Sequence, residues 1–339
     1  MDIREGRTIP IIAEIGQSHD GSLGILHSLI DAISGAGGQV IKFQMHYADV
    51  ESSEHDQFRV SFSRVDRTRQ DYWRRMELTP KQWLEIKEHC ESLGCEFLCT
   101  PFSVHAVRVL EEIGVKRYKV GSGDISNHLL LEAIRRTGKP VILSSGMSNY
   151  DELDVAVKIF ADSKTHVSIL QCTSQYPAPP SRWGLNLISE IRDRYLVPVG
   201  LSDHSGSIYP GLSAAALGAE LLEVHVTFDR RMFGPDASSS LEIAELSQLV
   251  QGVRAIKEAI DNPVDKSDLS DVEQMRALFG RSLVVAEDIH KGDRITFELL
   301  EAAKPLGFGV SPDRYSDLIG RKSKRDLKKG SFLLEEDLE

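Results

Sequence analysis

The chain has 339 residues, which is long for one ordinary domain and short for three. It carries 40 Lys and Arg residues against 51 Asp and Glu residues, so its formal net charge is −11. This acidic balance argues against a nucleic-acid partner or a polybasic membrane contact, and an anionic substrate would have to be held by local groups. A hydrophobic content of 41% and a charged content of 27% fit a folded globular protein and not a disordered one.

The sequence shows no signal that directs the chain to a membrane or an oxidising compartment. It has no run of 18 apolar residues, and its first residues are charged and lack the apolar core of a signal peptide. The four cysteines, Cys90, Cys95, Cys99 and Cys172, include no C-x-x-C pair. They fit free thiols in a reducing compartment, which predicts a cytoplasmic protein. A zinc site at the first three cysteines is an alternative that lacks a convincing fourth ligand.

Short runs rich in β-branched residues alternate with amphipathic stretches over most of the chain. The predicted order is strand Thr8–Ile15, helix Leu23–Ala36, strand Gln39–Gln44, helix Thr79–Leu93, strand Glu96–Thr100, helix Ser103–Ile113, strand Arg117–Val120, helix Asn127–Thr137, strand Pro140–Ser144, helix Ser148–Ala161, strand Val167–Gln171, helix Leu185–Tyr195, strand Pro198–Leu201, helix Ile208–Leu217, strand Leu221–Val226 and helix Ser239–Ile260. Most of these strands are apolar on both faces, as in a buried parallel sheet. Eight strand–helix units predict an α/β protein with a (β/α)8 TIM barrel.

Two segments interrupt or follow this pattern. The insert His46–Glu77, after the second strand, is rich in charged and aromatic residues and is predicted to be an irregular lid or substrate loop. After residue 261 the composition becomes polar, which predicts a linker over 262–280. Residues 281–339 contain an internal echo, since the sequence from Asp288 resembles that from Asp326. We therefore expect a barrel domain over 1–261 and a small β-rich second domain over 281–339.

Polar residues follow every predicted barrel strand. Because the active site of a TIM barrel lies at the C-terminal ends of its strands, these positions are the candidate site. A purely structural barrel has no reason to place so many polar groups at one rim. The residues are Glu14, Lys42, Gln44, Thr100, Lys119, Ser122, Asp124, Ser144, Ser145, Gly146, Gln171, Thr173, Ser174, Tyr176, Ser202, Asp203, His204, Glu223 and His225.

Two lysines, Lys42 and Lys119, lie within strands that are otherwise almost free of charge. Two inward lysines with nearby hydroxyls suit a dianion that carries a phosphate and a carboxylate. A snorkelling side chain, a buried ion pair or a Schiff-base lysine are the alternative uses of such a residue. Neutral donors are available at Thr100, Ser122, Ser145 and Ser202, and glycines that admit backbone N–H groups are available at Gly121, Gly123 and Gly146.

Two histidines, His204 and His225, end the seventh and eighth strands beside Asp203 and Glu223. Such a pair on adjacent strand ends is better explained by metal binding or acid–base chemistry than by packing. Two imidazoles plus oxygen ligands suit Mn²⁺, with Mg²⁺ or Co²⁺ as alternatives. His19 and His46 also follow barrel strands closely and could reach the site.

A set of short motifs in a fixed order carries a family resemblance. They are Ala13–Gly21 (AEIGQSHDG), Lys42–Gln44 (KFQ), Thr100–Phe102 (TPF), Tyr118–Asp124 (YKVGSGD), Ser144–Met147 (SSGM), Gln171–Pro177 (QCTSQYP), Gly200–His204 (GLSDH) and Gly234–Asp236 (GPD). From about residue 8 to its end the chain resembles the sialic acid (nonulosonate) synthase family, and its tail resembles that family's antifreeze-like (SAF) domain.

The resemblance implies a condensation of phosphoenolpyruvate with an N-acylated hexosamine, which releases phosphate and forms a nonulosonic acid. By resemblance, the catalytic residues are Glu14, Asp236, His204 and Lys119. Phosphoenolpyruvate is then bound by Lys42, Thr100, Lys119, Ser122, Ser145, Ser174 and Ser202. The acceptor sugar is bound by Gln44, Asp124, Tyr176, Asp236 and Lys304, and the metal by His204 and His225.

The resemblance also implies a domain-swapped homodimer in which the small domain caps the partner's barrel. Three positions depart from the family's pattern. Ser18 stands where Asn is common, Val224 where Lys or Arg is usual, and Lys304 where an Arg contacts the N-acyl group. Since lysine lacks the planar fork of arginine, we expect an acceptor that differs from N-acetylmannosamine or lacks the usual acyl group.

Three other functions remain as alternatives. A related 2-keto-3-deoxy sugar acid synthase would use a phosphorylated or non-acylated aldose on the same barrel. A Schiff-base aldolase would use one of the two strand lysines. A non-catalytic glycan-binding protein would have a catalytically inactive barrel. Both lysines and both histidines are present, which argues against this alternative.

Overall fold

The structure is a computed structural model that describes residues 8–60, 62–161 and 165–339. The elements in chain order are β1 (Ile11–Glu14), α1 (Leu23–Gly35), β2 (Val40–Met45), α2 (Ala48–Glu51), α3 (Arg69–Met76), α4 (Pro80–Ser92), β3 (Glu96–Pro101), α5 (Val104–Ile113), β4 (Tyr118–Val120), α6 (His128–Thr137), β5 (Val141–Ser144), α7 (Tyr150–Ala161), β6 (Val167–Cys172), α8 (Leu187–Tyr195), β7 (Val199–Asp203), α9 (Tyr209–Ala216), β8 (Leu222–Thr227), β9 (Leu241–Glu242), α10 (Ile243–Asp261), α11 (Glu273–Phe279), β10 (Ser282–Val285), β11 (Leu300–Ala303) and α12 (Tyr315–Leu318).

The first eight strands form a closed parallel barrel. Each strand pairs with the next along the chain, and β8 pairs with β1, so that Glu14 lies opposite Lys42 on one side and opposite His225 on the other. The short β9 adds to β8. Every predicted strand and helix of the barrel is present with ends shifted by only a few residues, and the predicted (β/α)8 fold is confirmed.

Local sequence signals explain where several helices begin and end. Thr79 caps α4 in a capping box with Gln82, and Pro80 occupies the first helical turn, where its missing N–H costs nothing. Helix α5 ends at Gly114, whose φ of 76° lies in the left-handed region that glycine adopts without strain. These signals fix the length of each helix, and therefore the place where each following strand begins.

Alternation along the strands determines what faces the barrel interior. One layer of inward side chains is apolar and plugs the barrel, and it consists of Ile12, Val40, Leu98, Ile142, Leu170 and Leu221. Because successive side chains in a strand point to opposite faces, the inward residues two positions later form the next layer. That layer is polar and includes Glu14, Lys42 and Glu223. The polar side chains therefore lie at the C-terminal end of the barrel, above the apolar layer.

The insert after β2 is more ordered than expected. It contains α2 and α3, where an irregular loop was predicted. Ala48, Tyr72, Trp73 and Met76 form a separate apolar cluster there. The capping box at Thr68 starts α3. Aromatic residues hold this insert together, because buried rings contribute large contact areas from few residues.

The chain divides into two compact units at residues 262 and 263. In the second unit, β10 and β11 pair antiparallel around a small core that includes Leu283, Val285 and Ile295. The two copies of the internal echo pair with each other through Ile289 and Leu327. Helix α11 lies within the segment predicted to be a linker.

Two further findings concern the whole of the described chain. Within residues 8–60, 62–161 and 165–339, no helix has the length and apolar character needed to cross a bilayer. The four cysteines are buried free thiols.

Candidate active site

A cavity of about 600 Å³ opens where the barrel strands end. Most residues that the sequence singled out line it: Lys42, Gln44, Thr100, Lys119, Ser122, Asp124, Ser174, Tyr176, Ser202, His204, His225 and Asp236. Glu14, Ser145 and Lys304 do not line it. Glu14 lies directly behind Lys42 and contacts it.

Four buried charges form the centre of this site. The Nζ atom of Lys42 lies 2.5 Å from Oε2 of Glu14 and 3.4 Å from Oε1 of Glu223. The Nζ atom of Lys119 lies 3.6 Å from the other oxygen of Glu223. Glu223 thus lies between the two lysines. Buried charges are stable only when they are paired, and here each ammonium faces a buried carboxylate.

Burial and pairing act in opposite directions on these groups. Burial disfavours the Lys42 charge, but Glu14 and Glu223 outweigh burial and raise the pKa of Lys42 above its ordinary value. For Lys119 burial dominates over the attraction of Glu223, and the pKa of Lys119 is lowered. Burial opposes the charge of Glu223 as well, yet the two lysines bring the pKa of Glu223 below its usual range.

Neutral donors surround this charged centre. The hydroxyl of Thr100 is buried and has no hydrogen-bond partner within the part of the chain that the structure describes. Such a group is costly to bury unless a ligand completes it. The Ser122 hydroxyl accepts a hydrogen bond from the backbone N–H of Gly146 at 3.1 Å. A Cβ at Gly146 would lie 2.7 Å from both Cys172 Sγ and Ser174 Oγ, so only glycine leaves this polar corner open.

Strand alternation distinguishes two serines that the sequence placed side by side. Ser145 was predicted to bind phosphoenolpyruvate, but its hydroxyl is turned to the carbonyl oxygen of Leu170 at 3.2 Å. Ser144 lies in the lining instead, and its hydroxyl accepts a hydrogen bond from Lys119 at 2.6 Å. The two-residue period from Ile142 could have indicated Ser144, because residues 142 and 144 share the inward face.

His204 and His225 lie next to each other, with ring centroids 5.2 Å apart. His204 Nδ1 lies 2.9 Å from the carbonyl oxygen of Thr173 and donates a hydrogen bond to it, which leaves Nε2 to face the cavity as a ligand atom. Burial lowers the pKa of His225 and favours the neutral ring. Burial acts likewise on His204, but the neighbouring Cys172 outweighs it and raises the pKa of His204.

The donor set at these two rings fits a divalent ion only in part. Among residues 8–60, 62–161 and 165–339, no three His, Cys, Asp or Glu side chains are grouped as metal ligands. Two imidazoles are therefore what the chain offers, and water and substrate oxygens would complete the coordination. An open site of this kind is typical of catalytic and not of structural metals.

Tyr176 and Asp236 line the cavity together with Arg59, a residue that the sequence reading missed. The guanidinium of Arg59 lies 3.9 Å above the Tyr176 ring. It also donates to Oδ1 of Asp236 at 2.6 Å and to the carbonyl oxygen of Pro235 at 3.0 Å. No periodicity marks Arg59, because it lies in the insert between α2 and α3.

The insert supplies much of the remaining wall. Its lining residues include Val50, Glu51, Asp56, Phe58, Arg59, Val60, Phe62, Arg69, Tyr72 and Trp73. Gln17 and His46 also line the cavity, next to Gln44. The one sequence signal that predicted a role for the insert at the site was its high content of aromatic and charged residues. Glu223 was visible at a strand end, but its place between two lysines was not.

Lys304 belongs to the second unit. Its ammonium lies 4.6 Å from the centre of the Phe279 ring, which lies at the end of α11. The predicted contact of Lys304 with an acceptor sugar therefore stays a prediction.

Comparison with known proteins agrees with this geometry. The model of the NeuB family matches residues 29–265, and the model of the SAF domain matches residues 280–339. The N,N'-diacetyllegionaminic acid synthase of Campylobacter jejuni is 31% identical over 331 residues, which cover 96% of this chain and 98% of that protein. The human N-acetylneuraminate-9-phosphate synthase is 32% identical over 329 residues, which cover 96% of this chain and 91% of that protein.

A solved structure supports the same assignment. The crystal structure of N-acetylneuraminic acid (sialic acid) synthetase from Leptospira borgpetersenii, in complex with citrate, superposes with a TM-score of 0.70 and 33% identity. The match covers 80% of this chain and 93% of that one. The resemblance to sialic acid synthases and to their antifreeze-like domain is confirmed, and the chain belongs to the NeuB family and carries a SAF domain.

Proposed function

We propose that this enzyme condenses phosphoenolpyruvate with a hexosamine aldehyde, forms a nonulosonic acid and releases inorganic phosphate. The observation that carries the proposal is that Lys42, Lys119, His204 and His225 face one cavity at the C-terminal end of the barrel. The named relatives synthesise nonulosonic acids, which agrees with this site.

Phosphoenolpyruvate binds at the lysine end of the cavity. Lys42 and Lys119 attract its carboxylate, and Thr100 donates its unpartnered hydroxyl. The hydroxyls of Ser122, Ser174 and Ser202, which line the cavity, surround the phosphate. Ser144 fixes the ammonium of Lys119 and takes the place that the sequence had assigned to Ser145.

The reaction forms one carbon–carbon bond and one carbon–oxygen bond, from water to C2, and it breaks the carbon–oxygen bond between C2 and the phosphate. C3 of phosphoenolpyruvate attacks the aldehyde carbon of the sugar, and the aldehyde oxygen gains a proton. A carboxylate stabilises the positive centre that develops at C2 and takes a proton from the attacking water. Asp236 lines the cavity and is placed for this role, while Glu14, the alternative, lies behind Lys42 and would have to reach the water past that side chain. The tetrahedral adduct at C2 then expels phosphate, and a 2-keto acid remains.

We propose His204 and His225 as ligands of a divalent ion, Mn²⁺ in the first place and Mg²⁺ or Co²⁺ as alternatives. Such an ion supplies Lewis acidity toward the sugar aldehyde. The protein's own part is to hold both rings in place. The Thr173 carbonyl oxygen fixes His204, and the ring of Tyr176 covers His204 with a centroid distance of 4.2 Å.

The acceptor binds toward Gln44, Asp124, Tyr176 and Asp236. These side chains present amide, carboxylate and aromatic groups, which suit sugar hydroxyls and the apolar face of a sugar ring. Because Lys304 replaces an arginine of the family, we propose that the preferred acceptor is not N-acetylmannosamine.

The assembly and the site of action are part of the proposal. We propose a homodimer in which the second domain of each chain caps the barrel of its partner and brings Lys304 to that site. The proposed boundaries are 1–261 for the barrel, 262–280 for the linker and 281–339 for the SAF domain. We propose a cytoplasmic enzyme, with no nucleic-acid or membrane partner.

The deciding assay measures phosphate release from phosphoenolpyruvate with a panel of free and phosphorylated hexosamines, with and without added Mn²⁺. We expect release that needs an aldose, stops with EDTA and returns with Mn²⁺. Absence of aldose-dependent release across the panel would reject the function. Preferred turnover of N-acetylmannosamine would reject the proposal about the acceptor alone. Sedimentation in the same buffer tests the dimer, which a fully active monomer would contradict.

One observation favours a second candidate, a Schiff-base aldolase. Burial lowers the pKa of Lys119, and a lysine with a lowered pKa is a better amine nucleophile. Borohydride with pyruvate would then add a stable adduct to Lys119, detectable by mass spectrometry. The ion pair between Lys119 and Glu223 argues against it, so we expect no adduct.

A further inference from the structure

His46 is a buried histidine at the edge of the cavity with both ring faces covered. It follows β2 directly and is only 4% exposed. The ring of Trp73, from α3, stacks on it with a centroid distance of 3.9 Å and an angle of 18°. The ring of Phe102 stacks on the other face at 4.5 Å and 12°. This double stack fixes the plane of the imidazole and joins the insert to the barrel.

One ring nitrogen of His46 is committed to a carboxylate. Its Nδ1 atom lies 2.6 Å from Oε1 of Glu51, at the end of α2. The other oxygen of Glu51 accepts the backbone N–H of Tyr47 at 3.1 Å. Because a carboxylate only accepts hydrogen bonds, the Nδ1 atom of His46 carries a proton.

The Nε2 atom of His46 lies where two glutamine amides meet. It is 3.2 Å from the amide nitrogen of Gln17 and 3.2 Å from the side-chain oxygen of Gln44. The same amide nitrogen donates to the carbonyl oxygen of Gln44. The amide nitrogen of Gln44 is thereby turned toward Glu14 and donates to its Oε1 at 2.7 Å. Reversing either amide would place two donors or two acceptors against each other.

We propose that His46 is a positioning residue: its Nε2 atom accepts a hydrogen bond from Gln17, supports this hydrogen-bonded chain at the end opposite Glu14 and so holds Gln44 and Glu14 for reaction. This inference rests on the proposed function, which gives those two residues their roles. Glu14 is held from two sides, by Gln44 on one oxygen and by Lys42 on the other. A carboxylate with both oxygens held cannot rotate, and such fixed geometry supplies much of an enzyme's rate.

The test replaces the ring nitrogens and keeps the stack. His46→Phe retains an aromatic ring between Trp73 and Phe102 but cannot accept a hydrogen bond from Gln17. We expect kcat to fall by about tenfold to hundredfold, with the KM for phosphoenolpyruvate within about twofold of the original. His46→Gln restores part of kcat, because its side-chain carbonyl oxygen accepts from Gln17 at a similar reach.

A matched control is available nearby. His105, on α5, packs edge-on against Tyr47 at 4.6 Å, is exposed and does not line the cavity. We expect His105→Phe to leave both kinetic constants unchanged. Thermal melting should first show that both Phe variants are folded. Equal kcat and KM values in the two variants would then overturn the inference, while the proposed function stands.

A second measurement does not depend on activity. In protein labelled with ¹⁵N-histidine, the signal that His46→Phe removes should report a ring protonated at Nδ1 and unprotonated at Nε2. A ring protonated at Nε2 would overturn the inference whatever the kinetics. If no aldose supports phosphate release, the proposed function fails, and the tautomer alone then decides whether His46 directs the amide chain.

Discussion

Oε2 of Glu14 lies 2.5 Å from the Nζ atom of Lys42, and both side chains are buried at neighbouring strand ends. The pair exists because β1 and β2 are adjacent and in register, with Glu14 opposite Lys42. The same contact orients the lysine proposed to bind phosphoenolpyruvate and holds a carboxylate proposed to act on it. Stability and chemistry therefore share one interaction.

Removing the lysine should expose this dependence. In Lys42→Met, Glu14 is left buried without its nearest cation, and we expect the free energy of unfolding to fall by about 3–5 kcal/mol. The double variant Lys42→Met/Glu14→Gln should recover a large part of the loss, since no uncompensated charge remains there. Urea unfolding of both variants measures the effect. Equal stability of the single and double variants would contradict the prediction.

The polar corner at Gly146 should tolerate no side chain. Gly146→Ala places a Cβ 2.7 Å from Cys172 Sγ and 2.8 Å from Ser122 Oγ, which fills the space proposed for phosphate. We expect the KM for phosphoenolpyruvate to rise by at least about tenfold, equivalent to about 1.4 kcal/mol of binding. Gly35→Ala is the matched control, because no heavy atom lies within 4 Å of a Cβ there. Unchanged phosphoenolpyruvate kinetics in Gly146→Ala would place the phosphate elsewhere.

Arg59 should affect the acceptor and not phosphoenolpyruvate. It covers Tyr176 and pairs with Asp236, the two residues proposed to bind the acceptor. We expect Arg59→Ala to raise the KM for the sugar by about tenfold, a loss of about 1.4 kcal/mol, and to leave the KM for phosphoenolpyruvate unchanged. The exposed Arg67 of the same insert does not line the cavity, and Arg67→Ala is the control. A shift in both KM values would show that Arg59 acts on the whole site.

His19 should make stability depend on pH. Burial, with smaller contributions from His46 and Arg75, lowers its pKa from 6.5 to about 4. Between these two values the unfolded chain binds the proton and the folded chain does not, so stability is complete above pH 6.5 and falls as the pH drops toward 4. From pH 7.5 to pH 5 this one group accounts for a loss of about 2 kcal/mol.

Urea unfolding of the native protein and of His19→Gln at both pH values checks this. The variant should lose about 2 kcal/mol less between pH 7.5 and pH 5 than the native protein does. Its absolute stability at one pH is not decisive, because the substitution also changes packing. An identical pH dependence in the two proteins would show that His19 is not the responsible group.

Several residues of the site could be predicted because strand ends are recognisable in the sequence. Lys42, Lys119 and His225 follow or interrupt apolar runs, and a barrel brings all its strand ends to one rim. Ser145 shows the limit of that reasoning. The residues that follow a strand can be assigned an approximate height along the barrel axis. Only the two-residue period of the strand shows which of two neighbouring side chains points into the barrel.

The pattern of apolar runs and helix signals in the sequence by itself determined the eight-fold barrel, the separate β-rich tail and the identity of most polar groups at the rim. That is possible because strand period, helix caps and turn residues are local properties of the chain. Only the tertiary structure decided that Glu223 lies between two lysines, that Arg59 reaches Asp236 and that His46 contacts the amide of Gln17. These contacts join residues far apart in sequence or in an aperiodic insert, and they form only when the barrel closes and the insert packs on it.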